Sequence, residues 1–235
     1  MNSFCQLVTR SRGPLGLGLS EDTIVKCPKA DRSPVGLPPA FMPDIKLARS
    51  WFNFWMMPEM SVLSPIAGES KEDLEAALVL VENEIKDLIA QGVPSKNIVV
   101  SGLSQGGALA LYTAIHTKYK LGGFVPIVTW LPLRKVEPIT TLPDPVNKDT
   151  PIFHMNGMMD PIVKHIPAGK KTEKEMKKVF TRYTYKPIVG ATHSTTVNPV
   201  TIPVLRKWLK ENTNLKFKNC LLGCLREKLS SLVLG

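Results

Sequence analysis

Residues 101–107 read Ser-Gly-Leu-Ser-Gln-Gly-Gly, between the apolar run Ile98-Val99-Val100 and the helix-prone Ala108-Leu109-Ala110-Leu111-Tyr112. Gly102, Ser104 and Gly106 form a G-x-S-x-G pattern with a strand in front and a helix behind, the context of a nucleophile elbow. Side chains flanking the serine collide in so tight a turn, which accounts for the glycines, and the serine itself is held in a strained conformation. The turn presents Ser104 Oγ at a helix N-terminus, whose free N–H groups favour negative charge on an oxygen. The chemistry is attack on a carbonyl. A bare G-x-S-x-G arises by chance in small-residue loops; the strand and helix in register give this one its weight.

A serine nucleophile needs a base and an acid to orient that base. The 4 histidines of the chain can be sorted. His116 lies in the helix after Ser104, among Thr117, Lys118 and Lys120, and reads as a surface residue. His154, within the strand-like Pro151-Ile152-Phe153-His154-Met155-Asn156, reads as a core or sheet-face residue, and His165 follows Lys164 in a loop. His193 follows the strand-like Phe180–Tyr185 run and precedes a helix, so it stands in a loop beyond the last strand. It is the candidate base. Asp160 lies where the strand Ile152–Met155 runs out, the end at which catalytic groups of open parallel sheets collect. Asp144 and Asp149 precede that strand and are weaker candidates. Ser104, Asp160 and His193 then occur in the chain order of α/β-hydrolases.

The elements that must carry these groups alternate. Residues 1–22 read as irregular, Thr23–Cys27 as a short strand and 28–50 as a Pro-rich loop. Trp51–Ile66 is an apolar segment containing Phe54, Trp55, Met56, Met57 and Met60. Ser70 caps a helix, with Asp73 three residues on, and Leu74, Ala77, Leu78, Val81, Ile85 and Leu88 recur at helical spacing before Gly92. Further strands are predicted over 124–130, 151–155 and 179–185, and helices near 170–178 and 200–211. Such alternation predicts an α/β fold, a mostly parallel sheet with helices on both faces. The α/β domain spans 23–212. Beyond it, 213–235 reads as a basic tail, with Leu221, Leu222, Leu225, Leu229 and Leu232 on one helical face and Lys218, Arg226 and Lys228 on the other.

Gly102–Ala114, Lys120-Leu121-Gly122-Gly123 and Thr129-Trp130-Leu131-Pro132-Leu133-Arg134 together resemble the acyl-protein thioesterase/lysophospholipase family of small α/β-hydrolases. Cys27-Pro28-Lys29-Ala30 and Arg49-Ser50-Trp51-Phe52 upstream, and Gly157–Val163 and Ala191-Thr192-His193-Ser194 downstream, extend the likeness over roughly residues 24–211. The resemblance implies hydrolysis of acyl thioesters on lipidated protein cysteines, and of lysophospholipid or short carboxyl esters, without metal or organic cofactor. It implies the Gln105 N–H as one oxyanion donor, and Trp51, Phe52, Trp130 and Leu131 as substrate-binding residues. Members of the family open with an apolar strand and a His-Gly-Leu-Gly-Asp loop that gives the other donor. Here no His-Gly pair occurs; Gly13-Pro14-Leu15-Gly16-Leu17-Gly18-Leu19 is glycine-rich but lacks the histidine and the acid. The competing class is an impaired protein of this fold that binds acyl chains or protein partners. A free N–H within 13–20, opposite that of Gln105, separates the two.

Composition agrees with one globular unit: 235 residues, 43% of them hydrophobic, suffice for one sizeable core. No run approaches the roughly 18 apolar residues of a spanning helix. Arg10, Arg12 and a Gly/Pro cluster stand where a secretory apolar region belongs, and Cys5, Cys27, Cys220 and Cys224 lack metal-like spacing. Both points predict a reducing, cytoplasmic setting. The formal charge of +10 is concentrated in Lys170–Lys178 and the last third. It reads first as a solvated helix face and next as transient attraction to anionic membrane surfaces; with no recognition motif, nucleic acid is not expected as a partner.

Overall fold

The computed structural model describes residues 16–30, 32–33, 48–53, 69–218 and 229–234. In chain order the elements are β1 (Thr23–Lys26), β2 (Arg32–Ser33), β3 (Ala48–Arg49), α1 (Lys71–Ala90), β4 (Ile98–Leu103), α2 (Gln105–His116), β5 (Gly123–Ile127), β6 (Ile152–Gly157), α3 (Lys171–Met176), β7 (Tyr183–Ile188), α4 (Ile202–Asn212) and β8 (Leu229–Leu234). Short β2 and β3 pair with each other, antiparallel. The remaining strands form one six-stranded sheet in the order β1-β8-β4-β5-β6-β7, every pairing parallel.

Side chains alternate across a strand, and that period divides the core in two. Ile98, Val100, Phe124 and Ile152 join Leu74, Val81, Ile85 and Leu88 of α1 and Leu109 and Leu111 of α2. Their neighbours Val99, Val125 and Phe153 face the other way, toward Leu205, Trp208 and Leu209 of α4. The Phe153 and Trp208 rings stack 5.0 Å apart. Helices therefore cover both faces, as a parallel sheet requires. The start of α1 is where the sequence puts it: Ser70 is the N-cap and its hydroxyl accepts from Asp73 N at 3.1 Å.

Three boundaries move. β5 ends at Ile127, not Trp130, because Val128 turns to φ 45°, a region costly for a β-branched residue. β7 begins at Tyr183 rather than Val179. Phe180 is 2% exposed and packs in the core, while its N–H closes a turn on Met176 O. The largest difference is at 229–234. Leu229 and Leu232, expected on a helix face, lie in β8, which pairs with β1 on one side and β4 on the other. A strand there satisfies backbone groups of both neighbours, which a helix cannot. Residues 219–228, with the rest of that expected face, lie outside the described residues, as do 54–68.

Cys27 is disulfide-bonded, against the reducing setting read from the cysteines in the sequence. Among the described residues no helix is long and apolar enough to cross a membrane.

Candidate active site

Ser104 follows β4 directly and is the N-cap of α2, at φ 54° and ψ −116°. Two glycines make this turn passable. A Cβ on Gly102 would stand 2.1 Å from Gly106 O, and one on Gly107 2.8 Å from Thr129 Cβ. Three hydrogen bonds hold the strained serine: its N–H donates to Ile127 O at 2.8 Å, and its carbonyl accepts from Ala108 N at 3.0 Å and from the Thr129 hydroxyl at 2.7 Å. Strain at an active residue persists only where its surroundings over-determine it. The Gln105 N–H opens α2 and, like every first helical N–H, lacks an intrahelical acceptor.

Asp160 stands just beyond β6, and His193 just beyond β7. The Asp160 side chain is fully shielded from solvent, and its Oδ2 accepts from His193 Nδ1 at 2.8 Å. Its Oδ1 accepts from Ile162 N and Val163 N, each at 2.8 Å. With both oxygens engaged, the carboxylate holds the imidazole through Nδ1 and leaves Nε2 outside that bond. Gly157 lets the two loops meet, since a Cβ there would lie 2.4 Å from Ala191 O. Met158 N and Met159 N then bond Ile188 O and Ala191 O. Because all strands run parallel, Ser104, Asp160 and His193 stand at the same edge of the sheet.

Trp51, Phe52, Trp130 and Leu131 are all buried, on two segments far apart in sequence. The Gln105 side chain ties down the first segment. Its Nε2 donates to Phe52 O at 2.6 Å and to Ser50 Oγ at 2.8 Å, and its Oε1 accepts from Trp51 N at 2.9 Å. Phe52 meets Trp130 edge to face, centroids 6.3 Å apart. Glu69 holds the second segment, accepting from Trp130 Nε1 at 2.5 Å and from Leu133 N at 2.6 Å. Burial raises the Glu69 carboxyl above its ordinary value, opposed by those two bonds and by Arg134. Val128 and Leu133, both at positive φ, bracket this stretch. Neither the Gln105 nor the Glu69 clamp was visible in the sequence, since their partners lie some 50–60 residues away.

The other histidines lie elsewhere. His154 is buried, its Nδ1 2.6 Å from the Tyr183 hydroxyl. His165 Nδ1 lies 2.8 Å from the Tyr185 hydroxyl. His116, expected at the surface, is half-buried against Tyr112, 4.1 Å between centroids; desolvation lowers its pKa. Asp144 and Asp149 pair with Lys148 and Lys120 on the surface. The basic stretch 170–178 is largely paired with its own acids, Lys170 and Lys177 with Glu173 and Lys178 with Glu175.

Comparison with known proteins agrees with this fold. The sequence profile of the phospholipase/carboxylesterase family matches residues 22–209. Acyl-protein thioesterase 1 of Kluyveromyces lactis is 34% identical over 63% of this chain and 63% of its own. The Mycosarcoma maydis acyl-protein thioesterase 1 is 38% identical over 52% and 51%. The chain thus spans between half and two thirds of the length of these relatives. Among solved structures, Arabidopsis thaliana SOBER1 superposes with a TM-score of 0.65 at 26% identity, over 79% of this chain and 81% of that one. Zea mays acyl-protein thioesterase 2 shares the fold, with a TM-score of 0.61 at 22% identity over 79% of each chain. The sheet, the elbow and these matches converge: the chain has the α/β-hydrolase fold and belongs to the phospholipase/carboxylesterase family.

Proposed function

We propose that this chain is a serine hydrolase that cleaves acyl thioesters on S-acylated proteins, and lysophospholipid or carboxyl esters, through Ser104, His193 and Asp160. The observation that carries the reading is the 2.8 Å bond between His193 Nδ1 and the shielded Asp160 carboxylate, at the sheet edge where the strained Ser104 turn stands. An aspartate so placed holds the imidazole in the tautomer whose Nε2 accepts a proton, and stabilises the imidazolium once formed.

The steps follow from those roles. Ser104 Oγ attacks the acyl carbonyl carbon as His193 Nε2 takes the hydroxyl proton. The tetrahedral oxyanion is met by the Gln105 N–H. Its collapse breaks the C–S or C–O bond, and the imidazolium returns the proton to the departing thiol or alcohol. Water then attacks the acyl-enzyme, again through His193, releasing the fatty acid and restoring Ser104. The relatives named acyl-protein thioesterase favour a thioester substrate, and the Phe52–Trp130 contact offers an apolar wall for an acyl chain. The net charge of +10 favours transient contact with anionic membrane surfaces.

A serine-directed fluorophosphonate tests the assignment. It is expected to modify Ser104 alone, and Ser104→Ala to abolish both labelling and thioester hydrolysis. Labelling at another serine with Ser104 untouched, or no labelling, contradicts the reading and leaves the non-catalytic binding protein as its replacement.

A further inference from the structure

The Ser104 carbonyl and the Gln105 N–H belong to one peptide unit. A peptide is planar and trans, so its C=O and N–H point in opposite directions and turn together. Whatever fixes the carbonyl therefore aims the N–H that meets the oxyanion. That aim matters here, because residues 16–20, the described part of the glycine-rich N-terminal stretch, stand at the far end of the sheet. Ser20 N bonds Lys216 O, Lys218 N bonds Gly18 O, and the chain then enters β1 at Thr23, its first residue. β1 runs parallel with β8, and β8 with β4, so the start of β1 is at the edge opposite Ser104.

The end of β5 grips the elbow. Leu103 and Ile127 are the last pair in register, so Ser104 and Val128 leave the sheet side by side, at φ 54° and 45°. Positive φ is costly for a β-branched residue, and Val128 is held there by its N–H on Met155 O at 2.7 Å. Thr129 follows this bend, fully buried, and its hydroxyl donates to Ser104 O at 2.7 Å. Gly107 leaves it room, since a Cβ there would stand 2.8 Å from Thr129 Cβ. The Ser104 carbonyl already accepts from Ala108 N at 3.0 Å, as the residue before a helix does. The hydroxyl is therefore not needed to satisfy it. Two donors on one oxygen resist tilting of the peptide and polarise its N–H as a donor. Backbone strain, here at two adjacent positions, clusters where it serves a reaction.

We propose that Thr129 is a positioning residue for the oxyanion hole: acting through the Ser104 carbonyl, its hydroxyl sets and polarises the Gln105 N–H. The inference rests on the hydrolase reading above and gives a task to a buried hydroxyl outside the triad.

The test compares two variants of the full chain. Thr129→Ser and Thr129→Ala both lose the methyl group and differ from each other only in the hydroxyl, so their ratio isolates it even where both unfold earlier than wild type. In hydrolysis of a short activated thioester, kcat is expected to be roughly 10–10²-fold lower in Thr129→Ala than in Thr129→Ser, the scale of a misplaced catalytic group, with KM unchanged. Affinity for a trifluoromethyl ketone, whose carbonyl carbon takes up Ser104 Oγ and leaves an oxyanion in the same hole, is expected to weaken by the same factor. Lost packing alone would lower the unfolding midpoint and slow both variants alike. Equal kcat in the two variants, or a difference carried by KM, overturns the inference and leaves the hydrolase reading intact. A wild type that a fluorophosphonate leaves unlabelled at Ser104 overturns both.

Discussion

On the β5 side of the nucleophile strand the sheet continues in sequence order, β5, β6, β7; on the other side stand β8 and then β1, drawn from opposite ends of the described chain. The ordered side carries Asp160 and His193 in the loops after consecutive strands, their loops joined by backbone bonds from Met158 and Met159. The other side depends on a closure that is remote in sequence. β1 has β8 as its described sheet partner, so whatever releases β8 releases β1 and bares one edge of β4. Closing so long a loop costs entropy before any ladder bond repays it. The proposed acid and base are thus carried on a run of consecutive strands, whereas the β1 side of the sheet is conditional on β8 staying in place.

The largest effect is expected on the ordered side. Asp160→Asn keeps the shape of the carboxylate but offers the wrong hydrogen-bonding group to His193. We expect kcat to fall by about 10⁴-fold, with the fold intact by circular dichroism. A loss below tenfold breaks the claim that this side supplies the base. Next comes the conditional side: Ser231, paired with Val25 on one flank and Val99 on the other, donates to a ladder whichever way its N–H faces, and Ser231→Pro removes that donor from β8. Leaving a buried backbone group unpaired costs about 1–3 kcal/mol, and hydrogen exchange is expected to quicken in β1 and β8 together while β5 and β6 stay protected. Uniform quickening across all six strands would mean that the two sides open as one.

Smaller effects sharpen the comparison. Gln105→Ala keeps the backbone N–H but removes the side chain that grips Ser50, Trp51 and Phe52. KM is expected to rise about tenfold, equivalent to ~1.4 kcal/mol, with kcat within a few-fold of wild type; steady-state kinetics separate the two. The smallest effect is a pH slope. Burial pushes His154 down to about 3 from 6.5. Between those values the unfolded chain holds a proton that the folded one refuses. Its stabilisation is full above pH 6.5 and is lost as pH falls, by at most about 1.4 kcal/mol per unit. His154→Gln is expected to flatten the fall in unfolding midpoint between pH 6.5 and 4. Desolvation also lowers His116 and His165, so some slope remains.

The sequence revealed the ordered side because its signals are local. Gly102 and Ser104 mark a turn that few residue types can make, and His193 was isolated by its place after the last strand-like run. α1 was legible from its cap and from the spacing of Leu74, Ala77, Val81 and Ile85. β8 was hidden because short apolar runs do not distinguish helix from strand. Leu229 and Leu232 fit a helix face as well as they fit β8, and only the slot between β1 and β4 decides. The same holds for Val179 and Phe180, apolar enough for a strand yet used to plug the core beside Met176. The Gln105 and Glu69 clamps join segments far apart in sequence, where neither spacing nor composition leaves a trace.

The central claim is that Ser104 carries the acyl group during turnover. Mixing the protein with a fatty-acyl thioester, quenching in acid before the second step and mapping peptides by mass spectrometry reads this directly. The account predicts a fatty-acyl adduct on the peptide containing Ser104, absent from Ser104→Ala and accumulating where deacylation is slowed. An adduct on a cysteine or another serine, or turnover that persists in Ser104→Ala, contradicts it.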